Sequence, residues 1–214
     1  MPRPRRTLRD QILAETRQRL LEAAASEFAR EGYTGANINR ISQAAGFAKG
    51  TVYNHFPSKQ ALMLALIDET SATHIEYILQ HLDPEGDPAR RLECFFKVGF
   101  AFVEHHSSQV QVIVNVVYGP DGEFKTRVYQ AYAQLFKLIT QDILKVGLTR
   151  GDFAAMNLDL ATALIMTVYL GSCSQLDESG KVWLDSGKVV KFILDGLRAR
   201  TTAKSKTRSG SRRR

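Results

Sequence analysis

Between Gly32 and Leu62 the chain reads GYTGANINRISQAAGFAKGTVYNHFPSKQAL, and no other stretch constrains the fold as tightly. It fits two short helices joined by a tight turn, with a further helix starting after Pro57. Ile38, Ile41 and Ala45 recur at helical spacing and form the inner face of the first short helix. Gly46 stands where a left-handed residue lets the chain reverse before Lys49. The second short helix carries Lys49, Thr51, Tyr53, Asn54 and His55, with little bulk that needs burying. So short a helix is marginal alone, and one that spends its surface on hydrogen-bonding groups is aimed outside the fold. Those groups suit the major groove of double-stranded DNA.

Phe47 and Val52 are the anchors expected to pin this helix against the one before the motif. The opposite face then presents Lys49, Thr51, Asn54 and the Gly50 backbone. A lysine matches guanine acceptors, an amide matches adenine, and a methyl-bearing hydroxyl matches thymine. Gly50 removes a side chain where backbone approaches the groove. Tyr53, His55 and Lys59 fall where the helix crosses phosphates, contacts that fix register without reading sequence. Plainer alternatives stay open for each: a surface-packed ring for Tyr53, a contact with Phe56 for His55, a solvated side chain for Lys49. Asn37 is placed to cap the helix it precedes, and Ser58 the one that follows it.

Charge is distributed to match. Residues 1–60 hold ten Lys/Arg against five Asp/Glu, and residues 201–214 hold six basic residues and no acid. The intervening 61–200 carry 13 basic and 17 acidic residues, so the overall +7 comes from the two ends. Such a pattern suits a polyanion-binding end on a separate body. Arg3, Arg5, Arg6 and Arg9 form a basic arm that either enters a minor groove or only solubilises the chain. The tail TTAKSKTRSGSRRR is expected to be disordered.

The rest reads as punctuated helix, with 3.6-residue periodicity and no sustained alternation of period two. A first helix is expected over Thr7–Arg30, with Leu13, Leu20, Leu21, Ala24 and Phe28 as its buried stripe and a stop at Gly32. A long fourth helix runs to about His81 on Leu62, Ala65, Leu66 and Tyr77. Turn residues at 83–88 and 119–122 divide the body. Its helices are expected over Pro88–His105, Ser108–Tyr118, Glu123–Val146, Leu158–Leu170 and Gly187–Arg200, with Gln175–Lys181 as a loop. The expected fold is all-α, about nine helices.

By its G-Y at the end of helix one, its small-residue second helix and GFAKGTVYNHFPSKQAL, the segment Leu13–Leu66 resembles the DNA-binding domain of TetR-family transcriptional regulators. The resemblance implies an N-terminal three-helix helix-turn-helix domain (12–58) behind the arm (1–11). A helical ligand-binding and dimerisation domain (59–200) and the basic tail (201–214) follow. It assigns DNA contacts to Asn37 and Asn39 on helix two, to Lys49, Gly50, Thr51, Tyr53, Asn54 and His55 on the recognition helix, and to Lys59 at the start of helix four. Two positions depart from the usual pattern: Ala48 leaves the recognition helix without a side-chain cap, and Asn37 replaces the more usual Ser or Thr.

The same resemblance implies an effector pocket among the body helices. Polar groups on apolar stretches, Asn115 in VIVNVVY and Thr167 in LIMTVY, are candidates for its wall, with Tyr118, Tyr132 and Tyr169 nearby and Phe96 and Phe100 from an aromatic-rich helix. Buried polar groups need partners, and a ligand supplies them; core packing is the alternative for each. The last two helices are apolar on more than one face, which together with the resemblance implies a homodimer built on them.

Other functions find little support. No nucleophile triad, paired-carboxylate site, phosphate loop or metal-ligand spacing is present, so the chain is not expected to be an enzyme or to carry a cofactor. Cys94 and Cys173 are expected to be reduced, buried thiols, and adjacent His105 and His106 point to different helix faces. No uninterrupted apolar run is long enough for a membrane span or a secretory signal, which implies a cytoplasmic protein without a membrane partner. The function implied is a ligand-responsive repressor. It binds a pseudo-palindromic operator as a homodimer and is released by a small apolar or aromatic effector.

Overall fold

Five polar side chains divide the chain into its helices. In a computed structural model that describes residues 8–197, Asn37 accepts from the Asn39 amide to open α2 (Ile38–Ala44), and Ser58 accepts from Ala61 to open α4 (Lys59–His81). Asp87 caps α5 (Pro88–His105), Asp121 caps α7 (Gly122–Ala131), and Asn157 caps α10 (Leu158–Cys173). Each satisfies an amide that the first helical turn leaves free. Between them lie α1 (Leu8–Gly35), α3 (Lys49–His55), α6 (Ser107–Tyr118), α8 (Ala133–Lys137), α9 (Lys145–Arg150) and α11 (Ser186–Leu197). Among the described residues an isolated bridge pairs Leu176 with Val182 across the expected 175–181 loop.

The N-terminal unit is α1–α3 packed under the start of α4. Leu20, Leu21, Ala24, Ala25 and Phe28 bury the inner stripe of α1 against Ile41, Val52, Phe56 and Leu62. Leu13 was expected in that stripe but is 47% exposed, because the first turns of α1 run past the elements beneath it. Gly32 departs from helical geometry at φ 67°, ψ 176°, where the expected stop lies, and one further turn carries the chain to Gly35.

The helix α4 is the axis of the molecule, packed against α1, α5, α6 and α7. Its buried face runs from Leu62 through Met63, Leu66, Ile67, Thr70, Ser71, His74 and Ile75 to Ile78. Two arginine contacts tie the body together: Arg127 on α7 donates twice to the Asp68 carboxylate at 2.6 Å, and Arg91 on α5 donates to the Asp142 carbonyl at 2.6 Å.

The expected single helix over Glu123–Val146 is divided. Tyr132 leaves helical geometry (φ −90°, ψ 4°) between α7 and α8, and residues Leu138–Leu144 form a π-helical segment leading into α9. Neither feature has a local breaker: the 123–146 stretch contains no glycine or proline. The side chain of Tyr132 is buried and bonded to α4 instead, so tertiary contact overrides helix propensity. The arm's Arg3, Arg5 and Arg6, the end of the last helix beyond Leu197 and the 201–214 tail lie outside the described residues.

Candidate nucleic-acid interface and ligand cavity

The reversal before α3 is built from backbone hydrogen bonds. The Phe47 amide donates to the Ser42 carbonyl at 2.9 Å and the Gly46 amide to Gln43 at 3.0 Å, the paired pattern that ends a helix on a left-handed residue. Gly46 supplies that residue at φ 75°, and a Cβ there would lie 2.9 Å from Arg19 Nη2. That guanidinium donates to the Ala45 carbonyl at 2.9 Å and packs over the Phe47 ring, while Arg17 packs over Phe56. Val52 is the buried anchor of α3. As the sequence implies, Ala48 makes no side-chain cap.

Set this way, α3 turns its polar residues outward. Lys49, Gly50, Tyr53 and Asn54 are exposed, and Thr51 and His55 are half-buried. The Lys49 ammonium lies 6.0 Å from the centre of the Tyr53 ring. A Cβ on Gly50 would meet nothing within 4 Å, so internal packing does not require glycine at this position. Asn37 and Asn39 are exposed at the start of α2.

Lys59 is placed differently from its sequence assignment. Its ammonium donates to the carbonyls of Thr34 at 3.0 Å and Ala36 at 2.8 Å and lies over the Tyr33 ring. The charge expected on a phosphate is turned inward, because the α1–α2 link presents two otherwise free carbonyls to the first turn of α4. Glu27 braces the same link. Burial raises its pKa, but hydrogen bonds from the Asn37 amide and Arg40, with the charges of Arg40 and Arg30, outweigh burial and hold it below the ordinary value.

A cavity of about 320 Å³ lies in the body between α4, α6, α7, α8 and α10. Val110, Ile113, Val117, Val128, Leu135 and Leu170 supply much of its apolar wall. Tyr118, Tyr132, Thr167 and Tyr169, four of the seven pocket candidates, line it. Tyr118 and Thr167 are exposed at its rim, and Tyr132 and Tyr169 are buried.

The other three stand elsewhere. Phe96 and Phe100 on α5 are core residues that pack behind Tyr169, with ring centres 5.4 and 6.1 Å from it. Asn115 is exposed and donates to the Ala29 carbonyl at 3.3 Å, tying α6 to α1 beside a separate cleft. The face of α6 that carries it turns toward α1, away from the cavity.

Sequence reasoning passed over His74, the one imidazole in the cavity wall. Its Nδ1 lies 3.2 Å from the Tyr132 hydroxyl and its Nε2 2.9 Å from that of Tyr169, and its ring stacks on Phe102 at 4.4 Å. Burial, with a minor contribution from the charge of His106, lowers its pKa to about 3, so the ring is neutral near pH 7. Burial likewise raises both tyrosines and pushes the Cys173 thiol up to about 12. The available signal was a histidine in register with Ile67 and Ile78 on the buried face of α4.

Among the described residues, no group of three or more His, Cys, Asp and Glu side chains is placed to hold a metal ion. No helix there is long and apolar enough to cross a membrane.

The family described as "Bacterial regulatory proteins, tetR family" matches residues 20–66, the segment that forms α1–α4 of this interface. The HTH-type transcriptional repressor KstR2 of Mycobacterium tuberculosis is 31% identical over 100 residues, which cover 45% of this chain and 48% of the relative. The HTH-type transcriptional activator FasR of Mycolicibacterium smegmatis is 30% identical over 132 residues, 60% of each chain. The chain thus spans about half the length of the curated relatives it matches. The whole fold is similar to FadR of Bacillus subtilis in complex with stearoyl-CoA, at TM-score 0.73 and 19% identity over 85% of this chain and 99% of that one. Residues 20–66 thus match the helix-turn-helix segment of the tetR family of bacterial regulatory proteins, and the all-helical architecture around that segment is similar to that of FadR.

Proposed function

We propose that the chain is a cytoplasmic, homodimeric transcriptional repressor that binds a pseudo-palindromic operator and is released by a small, mainly apolar effector. One observation carries the reading: α3 is pinned by Val52 alone and presents Lys49, Gly50, Thr51, Tyr53 and Asn54 outward, while the helix after it leads to a cavity. Lys49, Thr51 and Asn54 serve as base readers, and Tyr53 and His55 as phosphate contacts. Asn37 and Asn39 flank the groove from α2. Related proteins named as transcriptional repressors support repression, and FasR, named as an activator, is the contrary precedent.

The dimer face is α10 with α11. Leu160, Leu164 and Val168 form a stripe on α10 that is 59%, 58% and 37% exposed, and Phe192 on α11 is 79% exposed. Apolar side chains at this spacing on the last two helices suit an isologous contact between copies. Two-fold symmetry then sets the two α3 helices one helical turn of DNA apart, about 34–36 Å, or a multiple of it.

Control passes along α4. From Lys59 to His74 is fifteen residues, about 22 Å of helix. Lys59 grips the α1–α2 link at one end, and His74 lines the cavity at the other. An effector that favours one placement of α4 changes the spacing of the two heads. It controls DNA affinity by its differential binding to the two spacings, typically about 1–3 kcal/mol. The test is binding to palindromic against scrambled DNA at one salt concentration. The proposal expects at least about a thousandfold preference, the low end of the specificity of operator-binding proteins; equal affinities would sink it.

A further inference from the structure

The polar centre of the cavity has a definite hydrogen-bond count. Tyr169 is enclosed: its hydroxyl bonds to His74 Nε2 beside the Cys173 thiol, and a Cβ on Gly99 would lie 2.1 Å from it. It therefore faces α5 and has no room for a ligand. Tyr132 has one partner, His74 Nδ1, although it lines the cavity and is buried. A neutral imidazole donates from one nitrogen and accepts at the other. With the proton on Nδ1, Tyr132 accepts from it, and the Tyr132 hydroxyl hydrogen is free to donate. With the proton on Nε2, Tyr132 donates to Nδ1, Tyr169 accepts from Nε2, and a lone pair of Tyr132 is free to accept. In either tautomer the unspent capacity of this centre that a ligand can reach is on Tyr132, in a cavity whose lining includes no Lys, Arg, Asp or Glu.

We infer that this cavity takes an uncharged, mainly apolar molecule bearing one carbonyl or hydroxyl oxygen, which bonds to the Tyr132 hydroxyl. His74 acts as a positioning residue that supplies or accepts the balancing proton. A carbonyl is met by the Nδ1–H form and a hydroxyl by the Nε2–H form, so one centre reads both. Charged ligands are excluded because a buried, unpaired charge has nothing here to compensate it. At about 30 Å³ of liquid volume per water, the cavity suits roughly ten to fifteen non-hydrogen atoms. This inference rests on the effector-binding reading above and names the chemical class of the effector.

The experiment is calorimetric titration of the full chain, without DNA, with four bicyclic probes of similar size: tetralin, 1-tetralone, 1-tetralol and tetralin-1-carboxylate. The ketone and alcohol are expected to bind about five- to tenfold more tightly than tetralin, the scale of one neutral hydrogen bond. The carboxylate is expected to bind more weakly than any of them. Tyr132→Phe removes the ketone and alcohol advantage and leaves tetralin unchanged, whereas Tyr169→Phe keeps it. Should Tyr132→Phe fold poorly, the wild-type order of the four probes still decides. The inference is overturned if tetralin equals the ketone and alcohol, if the carboxylate binds best, if Tyr132→Phe keeps the preference, or if no probe binds at its solubility limit. Because no operator is involved, a failure here is separate from loss of sequence-specific DNA binding, which would overturn the broader proposal instead.

Discussion

The ammonium of Lys59 lies 2.8 Å from the carbonyl of Ala36, so the first residue of α4 holds the link between the first two helices of the helix-turn-helix unit. Replacing it tests whether the lysine serves the fold or the phosphate backbone. Lys59→Met strips a charged donor from two carbonyls, costing about 1–3 kcal/mol of stability. DNA affinity falls with it, but the slope of log affinity against log salt stays unchanged. A phosphate contact would instead reduce that slope by about 0.9. Binding isotherms at four salt concentrations separate the two.

The exposed face of α3 predicts distinct signatures for its members. Gly50→Ala enters open space and replaces a poor helix former, so the melting temperature is expected to hold or rise. Operator affinity nevertheless falls about tenfold, the scale of one lost groove contact. Asn54→Ala is expected to change which base is preferred, and Tyr53→Phe to weaken all sites about equally. Selection of bound sequences from a randomised pool reads both, and an unchanged preference in Asn54→Ala removes it from the base readers.

His74 makes the body acid-sensitive. Its folded pKa of about 3 lies below the ordinary 6.5, so the unfolded chain takes up this proton first as pH falls. The stabilisation is complete above about pH 6.5 and is lost progressively toward pH 3. Between pH 7.5 and 4.5 it amounts to about 2–3 kcal/mol, at about 1.4 kcal/mol per pKa unit. Glu27, lowered from 4.5, is a carboxylate whose contribution persists above that value and fades only below it. Urea unfolding across this window should therefore show a slope in the wild type that His74→Gln flattens.

The apolar stripe of α10 predicts a single-site dimer variant. Leu164 is 58% exposed in the single chain, so Leu164→Glu has little effect on folding. In a dimer it buries an unpaired charge, which costs several kcal/mol and raises the dimer dissociation constant by about two orders of magnitude. Sedimentation should show a monomer at micromolar concentration, with operator binding weakened in parallel. A variant that remains dimeric places the interface elsewhere.

What was legible in the chain was whatever is written within a few residues. The caps at Asn37 and Ser58, the reversal at Gly46 and the Val52 anchor each depend on hydrogen bonds or periodicity spanning at most five positions. The helix-turn-helix could be read directly for that reason. Packing decided the rest. His74 meets Tyr132 and Tyr169 across 58 and 95 residues, and Lys59 turns inward to a link 23 residues earlier. Asn115 bonds to α1, and Phe96 and Phe100 back the cavity instead of lining it. Helix periodicity says which face of a helix is apolar, but not which neighbour covers it or where two covered faces leave a gap. Those follow from how the helices cross, and the crossing is set by the sum of all contacts along α4. The helix-turn-helix was therefore open to local reasoning, and the chemistry of the cavity was not.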